Sequence, residues 1–306
     1  MNTATAANRE RIGHLALAAA CGAGFLWGTG ALVVNVLIAR HGFTPENISF
    51  WRFVVGSVVL TAIFGRPALW PTLRPRLLTL AAAGACMAAY VLCWFLGIER
   101  IGAAIPTLIA LCLPPVLVTI VALIRGQETL DTALVAALAA AIVGTMLIVG
   151  RHGGAGAINA GTMLAGVAFS VASAVLYAAF TLVSGRLSSE LGAGPATMGL
   201  TIVAAATMGT AGLWRPLHWP SDVTPEAWFL YLGVVTAALG LLAFSWGAAR
   251  LSPTALTVAT LVEPLTAVLL AAWLLGERLV AAQWFGALLL LGSIWALGRR
   301  GAGHAR

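Results

Sequence analysis

The sequence predicts an all-α membrane protein whose ten transmembrane helices form two inverted five-helix repeats around a central cavity. Three observations predict this fold class. Apolar residues make up 60% of the 306 positions and charged residues only 9%, whereas an average soluble domain has roughly 25% charged residues. The apolar residues fall into ten runs, and the two halves of the chain align at one constant offset. This composition excludes a soluble globular domain.

The ten apolar runs are bounded by arginine, proline, glycine or acidic residues. Most have the length of about 20 residues that is needed to cross the hydrocarbon core of a bilayer. The connections between them are mostly short, so consecutive helices are expected to run antiparallel. The predicted spans are residues 13–39, 46–65, 76–98, 102–124, 130–150, 161–185, 195–213, 226–248, 253–275 and 279–298.

The repeat becomes visible when the sequence is compared with itself at an offset of 150 positions. Each unit, residues 1–150 and residues 151–306, contains five predicted helices, and this odd number makes the second unit enter the membrane from the opposite side. Inverted repeats are typical of secondary transporters, whose substrate sites lie near the midplane between the halves. The aligned pairs are Trp27 with Tyr177, Gly42 with Gly192, Pro45 with Pro195, Gly97 with Gly247, Arg100 with Arg250, Thr107 with Thr257, Pro114 with Pro264 and Gly126 with Gly276.

The positive charges indicate the orientation of the chain and argue against a nucleic-acid partner. All 17 basic residues are arginines, and they occupy short segments between apolar runs without forming a basic cluster. With the N-terminus in the cytoplasm, eleven arginines lie on the cytoplasmic side and five on the other, while Arg52 lies within a span. The positive-inside rule therefore predicts that both termini are cytoplasmic.

Glu263 is the one acidic side chain predicted to lie deep inside a span, about ten residues from either end of the ninth helix. A charge at that depth costs about 2.5–3.5 kcal/mol on insertion scales, so it usually faces a polar cavity or a partner. Pro264 removes a backbone donor and frees a carbonyl one turn earlier, which predicts a polar, slightly broken midpoint. Three roles remain open for Glu263: binding a substrate ammonium group, coupling transport to protons, and bonding structurally to a neighbouring helix.

Further candidate cavity residues lie on five of the predicted helices. Thr257 and Thr260 precede Glu263 on the ninth helix, although each hydroxyl could instead bond to the preceding turn of its own helix. Polar or aromatic stripes on four other helices supply the rest, and tight helix packing would explain these stripes as well. The residues of these stripes are Trp27 and Asn35 on the first helix, Tyr90 and Trp94 on the third, Ser173 and Tyr177 on the sixth, and Phe244 on the eighth.

Arg52 is the only basic residue predicted well inside a span. Two interpretations are open: the side chain snorkels to the interface, or it pairs with a helix terminus or with a substrate carboxylate. The deep spans contain no lysine. Phosphorylated substrates, which need several cationic partners, are therefore disfavoured.

Four segments of the sequence resemble motifs of the drug/metabolite transporter superfamily, in its ten-helix EamA-type branch. They are Trp27-Gly28, Arg52, Glu263-Pro264 and Leu275-Gly276-Glu277-Arg278. The first-repeat copy of the last motif, Arg125-Gly126-Gln127-Glu128, has one residue more between glycine and glutamate. The likeness covers essentially the whole chain, and its overall pattern is most similar to bacterial amino-acid exporters of the YddG type. It implies a multi-pass protein of the bacterial inner membrane, with ten helices forming a basket around a central cavity.

The function expected from these features is secondary transport of a small-molecule substrate across a lipid bilayer. The first hypothesis is a monomer that exports small neutral amino acids, including aromatic ones, by alternating access. Efflux of lipophilic cations is the alternative among transporters, and a channel is the alternative from another class. An enzyme is not expected, because no nucleophile with its base, metal cluster or phosphate-binding loop is visible. No cofactor and no metal is expected either.

Overall fold

The computed structural model describes residues 3–101, 104–149, 159–275 and 279–304. Within these ranges the regular structure is entirely helical. Nine of the helices found there are long and apolar enough to cross a membrane, and the shorter apolar segment Ala281–Leu297 belongs to a tenth. The chain is therefore an all-α membrane protein, as predicted.

The ten spans are numbered α1 to α10 in chain order, and two of them are interrupted. The second and third are joined by short helical turns over residues 67–76, and the seventh continues into the 3-10 turn Thr210–Leu213. The spans are α1 Thr3–His41, α2 Pro45–Phe64, α3 Leu77–Ile101, α4 Ala104–Ile124, α5 Thr132–Val149, α6 Ala160–Leu191, α7 Ala193–Gly209, α8 in three parts (Val223–Tyr231, Leu232–Gly240 and Leu241–Ala248), α9 in two parts (Pro253–Thr260 and Val262–Leu275) and α10 Ala281–His304.

The helix ends agree with capping signals in the sequence. Thr44 and Ser252 cap α2 and α9, each accepting a hydrogen bond from a backbone N–H in the first turn, and a proline follows each cap. Proline is favoured there because the first helical N–H has no intrahelical partner. Two helices are longer than the predicted spans: α1 begins at Thr3, and α6 continues to Leu191. The polar ends of these helices lie outside the apolar windows on which the prediction rested.

The packing of helices against one another reproduces the inverted repeat. Helix α3 of the first repeat packs against α6 of the second, and the equivalent contact joins α8 of the second repeat to α1 of the first. Likewise α4 packs against α6, as α9 packs against α1. The pairs α2 with α7 and α5 with α10 each join a helix to its own repeat equivalent. This exchange of partners confirms the prediction of two inverted five-helix repeats.

Two glycines show that the repeat also holds at the level of single contacts. A methyl group added to Gly97 on α3 would lie 2.8 Å from Ser170 Oγ on α6, and one added to Gly247 on α8 would lie 3.4 Å from Ala20 Cβ on α1. Gly247 and Gly97 are repeat equivalents, and so are Ser170 and Ala20. The predicted boundary between the repeats, at residues 150 and 151, lies outside the described residues.

The contact between α5 and α10 is made by backbone approaching backbone. A methyl group added to Gly144 would lie 2.6 Å from the Gly286 carbonyl oxygen, and the reverse distance is also 2.6 Å. Small residues allow this approach in membrane helices, where lipid gives no hydrophobic driving force for association. Around this contact α5, α9 and α10 share one apolar core. A second apolar core contains buried residues of α1, α2, α3, α6, α7, α8 and α9.

One end of the bundle is tied together by charged and aromatic side chains. Arg215, in the connection between α7 and α8, lies 3.1 Å from a carboxylate oxygen of Glu46 at the start of α2 and 3.1 Å from Glu99 near the end of α3. Beside these ion pairs, the rings of Trp51 and Trp219 meet edge to face with centroids 5.0 Å apart. The connection is thereby held against two helices of the first repeat.

We expect the substitution Arg215→Gln to destabilise the protein, because it leaves the Glu46 carboxylate, only 2% exposed, without a counter-ion. The expected loss is about 1–2 kcal/mol, at the low end for a buried unpaired charge because Arg215 is partly exposed. Thermal unfolding in detergent should then shift to a lower temperature by a few degrees. Arg186→Gln is the control, since its pair with Glu190 lies at the surface, and an equal shift in both variants would contradict the prediction.

Candidate functional site

The candidate site is built around an interruption in α9. The helix stops at Thr260 and restarts at Val262, so Glu263 lies in the first turn of the second part. Pro264 has no N–H to donate to the carbonyl of Thr260, one turn earlier. An acidic side chain is also favoured in the first turn of a helix, where the macrodipole is positive. The broken midpoint predicted from Glu263-Pro264 is thus present.

Helix α1 packs onto this interruption through two glycines. A methyl group added to Gly24 would lie 2.7 Å from the Thr260 carbonyl oxygen, and one added to Gly28 would lie 2.6 Å from the Glu263 carbonyl oxygen. Only glycine allows the backbones to come so close, because any larger side chain would displace a helix. The sequence motifs Trp27-Gly28 and Glu263-Pro264 therefore meet in the folded chain.

The Glu263 side chain is surrounded by protein and still half-buried rather than sealed. Part of its surface is therefore left uncovered by protein atoms. Within the described residues, no hydrogen bond or ion pair of its carboxylate is recorded, so the group keeps its full capacity to accept hydrogen bonds. Arg52 on α2 lies within electrostatic range of it, as do Tyr90 on α3 and Tyr177 on α6.

Arg52 lies in the interior of the bundle rather than at the interface. Its guanidinium carbon lies 5.0 Å from the centre of the Phe53 ring. The Nε atom is buried and has no hydrogen-bond partner. Snorkelling of Arg52 to the interface is therefore not what the structure shows, and its pairing with a helix terminus or with a substrate carboxylate stays a prediction.

Five aromatic rings lie together beside the two charged groups. Tyr90 and Tyr177 meet edge to face at 5.1 Å, and Phe180 lies 5.8 Å from Tyr90. Phe244 lies 5.8 Å from Phe180 and 5.5 Å from Trp27. Four of these residues were candidates from the sequence. Phe180 was not among them, although it follows Tyr177 by three residues and so shares its helix face.

Three of the candidate hydroxyl groups bond to the backbone. The Thr257 hydroxyl donates to carbonyls one turn earlier on α9, and the Thr260 hydroxyl donates to the Thr257 carbonyl. The Thr260 oxygen also lies 3.4 Å from the Tyr177 hydroxyl, which connects α9 to α6. Ser173 donates across the α3–α6 contact to the carbonyl of Tyr90. These bonds hold helices in place, and the predicted role of the three residues in binding stays a prediction.

The two remaining candidates lie away from the aromatic rings just described. Trp94 donates its indole N–H to the Thr107 hydroxyl on α4, at 3.3 Å. Asn35 is exposed near the end of α1. Their predicted contact with a substrate likewise stays a prediction. In the described part of the chain, no three His, Cys, Asp or Glu side chains come together as metal ligands would.

The repeat symmetry is broken at this site. When the two halves are aligned at the offset of 150, residues that carry a charge or a ring in one half align with small or apolar residues in the other. The broken symmetry is a sequence signal that singles out Arg52 and Phe180 as well as Glu263 and Tyr90. The unequal pairs are Glu263 with Leu113, Arg52 with Ile202, Tyr90 with Gly240 and Phe180 with Gly30.

The sequence profile of the EamA-like transporter family matches residues 14–150 and, a second time, residues 164–299. The chain belongs to the EamA-like transporter family. The resemblance to this branch of the drug/metabolite transporters is thereby confirmed, and the chain is a multi-pass membrane protein of a transporter family. The family motif residues 276–278 lie outside the described residues.

Two curated relatives of this EamA-family chain match over most of their length. It is 26% identical over 279 residues to "Uncharacterized transporter YwfM" of Bacillus subtilis, covering 88% of this chain and 89% of the relative. It is 24% identical over 286 residues to "Uncharacterized inner membrane transporter YicL" of Salmonella typhimurium, covering 89% and 91%. A solved structure titled "Crystal structure of protein" has a TM-score of 0.80 at 21% identity and covers 93% of this chain and 97% of its own. This last likeness shows a shared fold.

Proposed function

We propose that this EamA-family protein exports small neutral amino acids, including aromatic ones, across the bacterial inner membrane by alternating access. The observation that carries the proposal is the Glu263 carboxylate, which is only partly covered and accepts no hydrogen bond from the described residues. It follows Thr260 by three residues, and the Thr260 hydroxyl lies 3.4 Å from that of Tyr177, in the group of aromatic rings. A substrate ammonium group would donate hydrogen bonds to this carboxylate, and the rings would contact an apolar substrate side chain. The name of the Salmonella relative supports the inner membrane as the location.

The surroundings of Glu263 suit an ammonium group on physical grounds. A charge-assisted hydrogen bond to a carboxylate contributes about 1.5–3 kcal/mol. A cation over an aromatic face adds about 0.5–2 kcal/mol, and Tyr90 and Tyr177 are both within electrostatic range of Glu263. Both free-energy contributions arise only when a substrate cation is bound, so they stabilise the occupied site relative to the empty one.

The proposal is tested with purified protein in liposomes loaded with unlabelled leucine or phenylalanine. We expect counterflow uptake of the labelled amino acid, well above that of empty liposomes, because exchange needs no external energy source. Repeating the uptake with an imposed pH gradient shows whether protons are coupled, the role left open for Glu263. Absence of uptake for every neutral amino acid, with correctly inserted protein, would contradict the proposal.

Efflux of lipophilic cations is the second candidate, and the same rings favour it. A carboxylate surrounded by aromatic side chains also suits a bulky organic cation. Labelled tetraphenylphosphonium in the same liposomes distinguishes the two functions. Uptake of this cation without any uptake of amino acids would replace the first proposal by the second.

A further inference from the structure

We infer that Arg52 and Glu263 form a two-point site for a zwitterion, in which Arg52 binds the substrate carboxylate and Glu263 binds its ammonium group. This inference rests on the proposed function and narrows it, because it requires both charged groups on the substrate.

The Arg52 side chain has hydrogen-bond donors that meet no acceptor among the described residues. A guanidinium group carries five N–H donors, and among the described residues no hydrogen bond of the Arg52 side chain is recorded. Its Nε atom is buried without any partner. A buried donor without a partner is destabilising, and the Phe53 ring, 5.0 Å from the guanidinium carbon, supplies no hydrogen-bond acceptor of the usual kind. The guanidinium group is therefore available to an anionic group of a ligand.

Glu263 does not supply that acceptor directly. The two side chains are within electrostatic range of each other, yet no ion pair between them is recorded in the described ranges. Two further carboxylates, those of Glu46 and Glu99, are already engaged by Arg215. Among the described residues, Arg52 and Glu263 are thus two groups of opposite charge that are not paired with each other, and each keeps hydrogen-bonding capacity for a ligand.

A ligand with both charges fits these two groups better than a ligand with one. A ligand with only an ammonium group would pair with Glu263 but would be repelled by Arg52. A ligand with only a carboxylate would pair with Arg52 but would be repelled by Glu263. A zwitterion satisfies both groups and leaves the site neutral, which matters in an interior of low dielectric constant. Specificity of this kind comes from the penalty on the wrong ligands as well as from attraction to the right one.

The aromatic rings fix the third point of contact. Tyr90 lies within electrostatic range of Arg52 as well as of Glu263, so its ring lies beside both charged groups. Together with Tyr177, 5.1 Å away, it offers an apolar surface for the substrate side chain. The inferred substrate class is therefore an α-amino acid with a free amino group, a free carboxylate and an apolar side chain.

The test is competition against uptake of labelled phenylalanine by four unlabelled compounds: phenylalanine, phenylalanine amide, phenethylamine and 3-phenylpropionate. For the unaltered protein, we expect phenylalanine to compete at least tenfold better than each of the three compounds that lack one charge. In the Arg52→Gln variant the preference for phenylalanine over its amide should fall to near one. Arg52→Lys should keep part of that preference, since the charge remains but the bidentate geometry is lost.

The outcomes separate this inference from the function on which it rests. Uptake of phenylalanine with equal competition by its amide overturns the two-point site and leaves amino-acid transport standing. An unchanged preference in Arg52→Gln also overturns it. Absence of amino-acid uptake by the unaltered protein overturns both. Arg186→Gln, at the surface beside Glu190, is the matched control and should keep the preference, and the ligand series on the unaltered protein decides the question if Arg52→Gln does not fold.

Discussion

Replacing Glu263 by glutamine is expected to reduce the transport of neutral amino acids at least tenfold. The substitution keeps the size of the side chain and removes only its charge, so the substrate ammonium group loses a charge-assisted hydrogen bond of about 1.5–3 kcal/mol. A loss of 1.4 kcal/mol corresponds to a factor of about ten in binding. The measurement is the initial rate of counterflow in liposomes that contain equal amounts of inserted protein.

Glu190→Gln is the matched control for this experiment. Glu190 lies near the end of α6 and pairs with Arg76 and Arg186, so its loss should leave the transport rate within about twofold of the unaltered protein. Unchanged transport by Glu263→Gln, with the same unfolding temperature, would assign the Glu263 carboxylate a structural role. A loss of the same size in both variants would show an effect of charge removal that is not specific to the site.

Replacing Gly28 by alanine is expected to have the second large effect, this time on packing. The added methyl group would lie 2.6 Å from the Glu263 carbonyl oxygen and 2.6 Å from Thr266 Cβ. Backbone atoms cannot move away as a flexible side chain can, so α1 or α9 must shift. Overpacking of this kind costs about 1–3 kcal/mol. We expect a clearly lower unfolding temperature in detergent together with reduced transport.

Gly22→Ala provides the control on the same helix with the same chemical change. A methyl group added to Gly22 meets no atom within 4 Å. Alanine also has the higher helix propensity, so this variant should be as stable as the unaltered protein or slightly more stable. If Gly28→Ala proved equally harmless, the close approach of α1 to the interruption in α9 would not contribute to stability.

The fold was largely predictable because a bilayer restricts the choice of structure. Backbone polar groups must be satisfied within the membrane, so an apolar run of the right length is a helix. The constant offset then predicted which helices are equivalent, and the exchange of partners between α3–α6 and α8–α1 confirmed it. The π-helical turn Leu232–Gly240 was not predicted. The sequence patterns that predict the spans do not mark such a segment, within which the carbonyl of Thr236 accepts a hydrogen bond from the indole of Trp27.

The site was predictable only in part, because sequence gives the depth of a residue but not its direction. Depth and the following proline identified Glu263 and the interruption of α9. Arg52 lay close enough to the end of its span for snorkelling to be the first interpretation, and only the packing of α2 shows its Nε atom buried. Thr257 illustrates the converse problem, since its hydroxyl bonds to its own helix. Chain position alone does not distinguish such a hydroxyl from one that faces a substrate.

The unequal residues at the α3–α6 and α8–α1 contacts bear on the energetics of the transport cycle. Tyr90 and Phe180 fill one contact with rings, while Gly240 and Gly30 stand at the equivalent positions of the other. In a chain with two identical halves, the inward-facing and outward-facing forms would be related by a two-fold rotation and would have equal free energies. Under the alternating access proposed above, the unequal residues would make these two free energies differ, so the residues that contact the cargo would also set the side that the empty protein faces.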